Sequence, residues 1–380
     1  MNNSRCKKPG TFRYLSLGDV HLGNHLTPTA LIIHNLDRYC LTDDRLKEVD
    51  MVIITGDLFD RLLHNADDNV KLINRWITRF MFRCAMYDVM IRVVEGTPSH
   101  DRGQSNFFVE QADNAGIKVD LHYATTLSIE YIEKLDAHFL YVPDKWRADT
   151  QTTLDEVRVL LKDKGLTKVD FAVMHGAFEY QLPSIVKEPT HDSVVYLDLV
   201  TYFIMIGHVH HPTRRDRILA AGSFDRITHG EEGPKGFYDV SVESEEVHRV
   251  VFVENRGAKR YDTLDCHGLD TKQVNVAVRQ KVSELPKRSA IRLRCDPNDA
   301  AMGDIESFKR EYPNMDWTLK VEKVAKVNDT VAESLAAFDL SYLKPIDETT
   351  ILDLMRGELE RHVRDPVAVE RCMRRMEAFI

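Results

Sequence analysis

The chain alternates between short apolar runs and longer segments whose apolar positions recur at helical spacing. Phe12–Leu17, Met51–Thr55, Met90–Glu95, Phe139–Val142, Val169–Met174 and Tyr202–Ile206 are rich in β-branched and aromatic residues and have strand length. Each ends at a small or polar residue, such as Gly18, Gly56, Gly96, His175 or Gly207. Continuous apolar runs predict strands covered on both faces. Between them, Asn69–Met86 and Asp149–Lys164 carry helical patterns. Strand, loop and helix in alternation predict an α/β layered fold. A β-rich stretch follows over Arg217–Ala221, Gly236–Val242 and His248–Glu254.

Near Asn255–Lys259 the chain turns polar and basic, which places a boundary there. Beyond it, Val274–Leu285 reads as a helix, Ala290–Cys295 as a strand, Ile305–Glu311 as a helix and Trp317–Val321 as a strand. That is a small α/β unit. In the tail, Ile351, Leu354, Met355 and Leu359 fall at helical spacing, as do Val369, Cys372, Met373, Met376 and Ile380. The second set follows Asp365-Pro366, which suits an N-cap and first helical position. The expected division is 1–255, 256–340 and 341–380. No internal repeat is visible.

Composition narrows the class. With 380 residues, 43% hydrophobic and 29% charged, the chain is long enough for about two to three domains and too apolar for wholesale disorder. Its formal net charge of −9 argues against strong non-specific nucleic-acid binding by the chain alone; a local basic surface or a partner's surface stays compatible with that total. No run reaches the roughly 18 apolar residues of a membrane helix, and the N-terminus lacks a signal-peptide core. The cysteines (Cys6, Cys40, Cys84, Cys266, Cys295, Cys372) form no CxxC pair, which speaks against a zinc ribbon or disulfide scaffold and suits a reducing cytoplasm.

Sixteen histidines are many for this length, and their positions matter more than their number. In layered α/β folds, sites form at the carboxyl ends of strands. Asp19, His21, Asp57, His100, His175, His208 and His210 all fall there. In Asp19-Val20-His21 and in His208-Val209-His210, residues i and i+2 of an extended segment share a side, so each pair reaches one site. Gly56-Asp57-Leu58-Phe59-Asp60 follows a strand directly. Taken singly, each piece has an ordinary reading: a turn Asp, a helix cap, a core histidine. The ordered set does not. Carboxylate and imidazole together suit Mn²⁺, Fe²⁺ or Zn²⁺. One carboxylate shared between two ions is the arrangement used on phosphate esters.

This order (D-x-H, G-D-x-x-D, His-Asp after a strand, H, G-H-x-H) resembles the calcineurin-like metallophosphoesterase superfamily. Further segments are similar to SbcD-type DNA repair and recombination nucleases: Leu17-Gly18-Asp19-Val20-His21-Leu22-Gly23, Tyr141-Val142-Pro143, Ala221-Gly222-Ser223-Phe224, Gly230-Glu231 and Lys235-Gly236-Phe237. The likeness covers about residues 12–254 and extends more weakly beyond; in size the chain is similar to the nuclease subunits of large phages. The resemblance implies a layered sandwich of two mixed sheets flanked by helices, with a small α/β capping domain and a helical C-terminal tail. It implies a DNA exonuclease and endonuclease using two Mn²⁺ ions (Mg²⁺ or Fe²⁺ as other occupants). Its partners would be DNA, an SbcC-type coiled-coil ATPase gripped by the tail, and in a homodimer a second copy. The location would be cytoplasmic, the host's if phage-encoded.

The same resemblance implies residue roles. Asp19, His21 and His210 with Asp57 would hold one ion; Asp57, His175 and His208 the second, Asp57 bridging. His100 would be general acid or transition-state stabiliser, oriented by Asp101. The family's G-N-H-D is replaced by Gly96-Thr97-Pro98-Ser99-His100-Asp101. Counting back from His100 puts Ser99 where the ligand Asn would stand, a poorer donor. Asp60 sits where some relatives have His and is expected to support the ligands or, equally, to cap a helix. Two alternatives accompany this reading: a phosphatase of the same superfamily, which has no need of an ATPase-docking tail, and a non-catalytic scaffold with a degenerate second site, favoured only by the missing Asn.

Overall fold

The computed structural model describes residues 11–64, 66–183 and 185–322, together with residues 356, 369, 370 and 373. Strands β1 (Phe12–Leu17), β2 (Met51–Ile54), β3 (Met90–Val94) and β4 (Leu121–Ala124) lie side by side and parallel. Helices α1 (Thr29–Asn35), α2 (Asp43–Glu48), α3 (Asp68–Tyr87) and α4 (Phe107–Ala115) lie on the connections between them. Antiparallel β5 (Ser128–Ile132) and β6 (Ala137–Val142) open the second sheet, which continues in parallel through β7 (Val169–His175) and β8 (Val200–Gly207). Helices α5 (Thr150–Asp163) and α6 (Ser193–Leu199) make its crossovers. With β9 (Thr213–Arg215) and β10 (Ile218–Ala220), its order is β5-β6-β7-β8-β10-β9. The chain then returns to the first sheet through antiparallel β11 (Gly236–Val242) and β12 (His248–Glu254), giving β12-β11-β1-β2-β3-β4. Two mixed sheets flanked by helices make the α/β layered fold that the strand pattern predicts, in the sandwich form that the resemblance implies.

The continuous apolar runs are explained by burial on both faces. In β2, Val52 and Ile54 pack toward the helices, while Met51 and Ile53 enter the layer shared by the two sheets. In β8, Phe203 and Met205 enter that shared layer, and Ile204 and Ile206 face the opposite way. Each such side chain contributes about 1.5–3 kcal/mol on full burial. Helix α3 buries Val70, Ile73, Trp76, Ile77, Phe80, Met81 and Cys84, a stripe at helical spacing, and starts where the Asp67 side chain accepts from the Asn69 amide. The pattern did not foretell β4, β5 and β9. They are short and half-covered, so they lack the two-sided apolar signal.

Past residue 255 stands a parallel sheet of β13 (Tyr261–Asp265), β14 (Ala290–Cys295) and β15 (Asp316–Val321), with α7 (Thr271–Glu284) and α8 (Ala300–Glu311). A capping box of Asp270 and Gln273 starts α7. Val274, Val278, Ile291, Leu293, Phe308 and Trp317 form its own core. This layer belongs to the compact unit that runs to Glu322. Thr27 Oγ1 meets Tyr261 OH at 2.6 Å, and Lys259 Nζ donates to the Leu26 carbonyl at 2.5 Å. The expected limit at residue 340 lies outside the described residues, and so does nearly all of the 341–380 tail. Within the second unit, Lys323–Ile380, the described residues are helical, and Arg356 pairs with Glu370 at 2.8 Å.

Candidate metal centre

Because β1 and β2 are parallel neighbours, their carboxyl ends open side by side. The loops that follow are zipped together: the Val20 amide donates to the Asp57 carbonyl and the Leu22 amide to the Leu58 carbonyl, both at 2.8 Å. Asp19, His21, Asp57 and His208 all take positive φ (48°, 56°, 47° and 106°), a conformation that L-residues rarely adopt. Strain of this kind costs roughly 1–3 kcal/mol per residue, and its gathering at one place marks a site.

Three groups of side chains converge there, each with ligand atoms within 4.8 Å of one another: Asp19, His21 and His210; His21, Asp60 and His100; Asp57, His175 and His208. In the first, His21 Nε2 lies 3.0 Å from His210 Nε2. The other nitrogen of His210, Nδ1, faces Glu231 Oε1 at 2.9 Å, so a proton held there leaves Nε2 as a bare lone pair. Burial pushes the Glu231 carboxyl up, but His210 and Lys235 outweigh it and bring it to about 2. Lys235 Nζ sits 2.8 Å from Glu231 Oε2 and donates to Ser223 Oγ at 2.6 Å and the His210 carbonyl at 2.9 Å. The Ser223…Glu231…Lys235 segment thus holds His210 in place. Asp60 Oδ1 stands 3.4 Å behind His21 Nδ1 and accepts from Asn24 at 2.8 Å, in keeping with a supporting place.

In the third group, His175 Nδ1 donates to the Thr55 carbonyl at 2.6 Å, which turns Nε2 toward Asp57 Oδ2 at 3.3 Å. Burial lowers the His175 imidazole, yet the Asp57 charge outweighs it and lifts it to about 10. Asp57 is buried, which disfavours its charge, but His175, His21 and His100 hold it below the usual carboxylate range. His208 links the groups. Its amide donates to Asp19 Oδ1 at 2.8 Å, while its Nε2 lies 3.3 Å from Glu188 Oε1.

Three expectations change. His208 and His210 do not share one group: the φ of 106° at His208 turns the chain, so the i, i+2 rule for extended backbone fails. The structure does not bring Ser99 to the cluster; Ser99 is exposed on a turn. The hydroxyl there is that of Thr97, with Oγ1 3.2 Å from Asp57 Oδ2, 3.3 Å from His175 Nε2 and 3.4 Å from His208 Nδ1. Asp101 does not orient His100. It is fully buried, accepts from the Phe59 amide at 3.1 Å and the Gly96 amide at 3.0 Å, and burial together with Asp57 pushes it up to about 8. His100 instead donates from Nδ1 to the Asp60 carbonyl at 2.5 Å. Consecutive residues leaving a turn point apart, which separates the pair.

The donor set fits divalent ions. Two imidazole nitrogens face each other at 3.0 Å, a separation one bridging proton or one shared cation can satisfy. His175 draws a proton to balance Asp57, a place that a cation can take. Mixed imidazole and carboxylate donors match Mn²⁺, Fe²⁺ or Zn²⁺ without selecting one. Glu188, Glu231 and Lys235 were given no site role by sequence, and Ser99 was preferred there to Thr97. The signals available were the position of Thr97 directly after Gly96 and the opposite charges of Glu231 and Lys235 four residues apart.

No family model matches the chain, and no curated protein matches it. One crystal structure is similar over 64% of this chain and all of that chain, at 10% identity with a TM-score of 0.38, too slight a likeness to carry an argument. No helix among the described residues is long and apolar enough to cross a membrane.

Proposed function

We propose that this chain is a metal-dependent phosphodiesterase of the SbcD type, cutting DNA with two Mn²⁺-class ions in the cytoplasm. The observation that carries the reading is the meeting of two carboxylate–imidazole groups at the ends of β1, β2, β7 and β8, linked through His208 and Asp19. Asp19, His21 and His210 would hold one ion, and Asp57, His175 and His208 with the Thr97 hydroxyl the other, Asp57 reaching toward both. When bound, such ions supply Lewis acidity toward a phosphate ester and lower the pKa of water.

The chain's own residues do the rest. Thr55 and Glu231 fix His175 and His210 so that Nε2 faces inward. The Asp60 carbonyl fixes a proton on His100 Nδ1, leaving Nε2 to exchange one with the departing oxygen. His100 lies within reach, its ring centroid 5.0 Å from that of His21. Residues from about Asp347 onward would dock an SbcC-type coiled-coil ATPase, which would also lend phosphate-binding surface to an acidic chain.

The test is hydrolysis of bis(p-nitrophenyl) phosphate and linear duplex DNA with Mn²⁺, with and without chelator. Chelator-sensitive cleavage of both is expected. Cleavage of p-nitrophenyl phosphate alone would make the chain a phosphatase. Two-ion binding with no cleavage of any ester would make it a scaffold.

A further inference from the structure

A cavity of about 160 Å³ adjoins the third group at His208, lined by the loop after β6 and the segment following β7. Its lining includes Trp146, Ala148, His191, Asp144, Glu188 and His208. His191 Nδ1 and Asp144 Oδ2 are shut off from solvent-sized space, whereas His191 Nε2 and Asp144 Oδ1 stand beside Gly176, which belongs to the same lining. His191 is itself only 7% exposed. His191 Nε2 and Asp144 Oδ1 can pair with an occupant that has a polar edge. Trp146 adds an aromatic wall, held by its Nε1 donating to Glu156 at 2.7 Å. Exposed Lys145 stands at the same lining, while Arg147 pairs with Glu156 at 2.6 Å and lies over the Trp146 ring, 4.7 Å from its centroid.

An aromatic wall, a small volume, two polar atoms at its lining and an adjacent ammonium together describe a planar heterocycle attached to an anion. We infer that this cavity is a nucleobase subsite, taking the base of the nucleotide next to the phosphate held at the metal centre. The inference rests on the phosphodiesterase reading for the phosphate and on the cavity alone for the base. Burial lowers His191 to about 4, so its ring is neutral and Nε2 offers one hydrogen-bonding position to a base edge. Stacking of a base on an aromatic side chain tolerates any base, so the subsite would take each of the four.

The experiment compares 2′-deoxyadenosine 5′-monophosphate with 2-deoxyribose 5-phosphate, each titrated into the full chain with and without Mn²⁺, by calorimetry and by quenching of tryptophan fluorescence. The base-containing ligand should bind about tenfold or more tightly than the baseless one. Ala148→Trp, which narrows the cavity, and His191→Phe, which removes Nε2 from its lining, should each reduce that ratio while leaving the baseless ligand unchanged. Equal affinities in the wild type, or a ratio untouched by both variants, would overturn the subsite; an occupant that is water alone gives that result. Failure of the metal reading shows differently: neither ligand would gain affinity from Mn²⁺, whatever the ratio between them.

Discussion

Replacing Thr97 by Val removes one hydroxyl and keeps the shape of the side chain. The amide of Thr97 donates to Asp57 Oδ1 at 2.6 Å, and Val keeps that bond, so the carboxylate stays oriented. What is lost is Oγ1, which stands 3.2–3.4 Å from Asp57 Oδ2, His175 Nε2 and His208 Nδ1. Asp57 Oδ2 retains His175 Nε2 at 3.3 Å, so the ion-free protein gives up little, about 1 kcal/mol for one buried hydrogen bond. Toward an ion the loss is larger. Removing a donor that contacts or orients metal ligands costs roughly 10–100-fold in affinity, or about 1.4–2.7 kcal/mol. Calorimetric titration with Mn²⁺ should show one of two sites weakened by that factor and the other unchanged. Ser99→Ala, at an exposed position, should leave both within about twofold. The reverse pattern, with Ser99→Ala weakening a site and Thr97→Val neutral, would refute the placement.

Three further outcomes are expected. Gly96→Ala should abolish binding at the second site and destabilise the fold by about 1–3 kcal/mol, read by thermal melting, because a Cβ there would press on the Asp57 amide and carboxylate and come within 2.7 Å of Asp101 Oδ2; an unchanged melting curve would contradict it. His100→Ala should remove cleavage while Mn²⁺ titrates as before, its Nδ1 being tied to a carbonyl rather than to the ligands of either main group; loss of an ion would make His100 a ligand. His191 bears on acid stability: burial depresses its folded pKa from the ordinary 6.5 to about 4. The neutral form is favoured on folding, so the contribution is fully present above pH 6.5 and is lost as pH falls toward 4, by about 3 kcal/mol at pH 4. Denaturant melts of His191→Phe between pH 7 and pH 4 should show a shallower decline than the wild type, and parallel curves would refute the assignment.

The layers were legible because the signal and the physics coincide. Strands covered on both faces must be apolar throughout, so β1, β2, β3, β6, β7 and β8 were visible as runs, whereas β4, with a half-exposed Leu121-His122-Tyr123, was not. The ligands were legible for a related reason: strand ends in a layered fold converge, so a histidine or aspartate just past each run reaches its neighbours whatever the loop does. Loop detail was not legible. Whether Thr97 or Ser99 faces the cluster depends on where the turn closes, and it closes with the amides of His100 and Asp101 both donating to the Thr97 carbonyl. That turn keeps Thr97 at the strand end and carries Ser99 out to solvent. Counting forward from Gly96, where the backbone is fixed by β3, finds the right residue; counting back from His100 crosses the inserted turn.

Asp101 shows why adjacency in sequence is a poor guide to partnership in a buried site. A carboxylate beside His100 invites the reading of an orienting pair. Yet the Asp101 side chain faces the amides of Phe59 and Gly96, and so joins the loop after β2 to the end of β3. Burial and the nearby charge of Asp57 push it up to about 8, so near neutral pH it holds a proton. This matters for the chemistry proposed. A charged Asp101 would add a negative charge beside Asp57, repelling phosphate; a protonated one ties the loops together without doing so. The carboxylates that stay charged close to the ligands, Asp57 and Glu231, are those with imidazole or ammonium partners. Net charge at the centre is therefore set by pairing and burial, and an acidic chain can still present a cation-loaded site that attracts a phosphodiester.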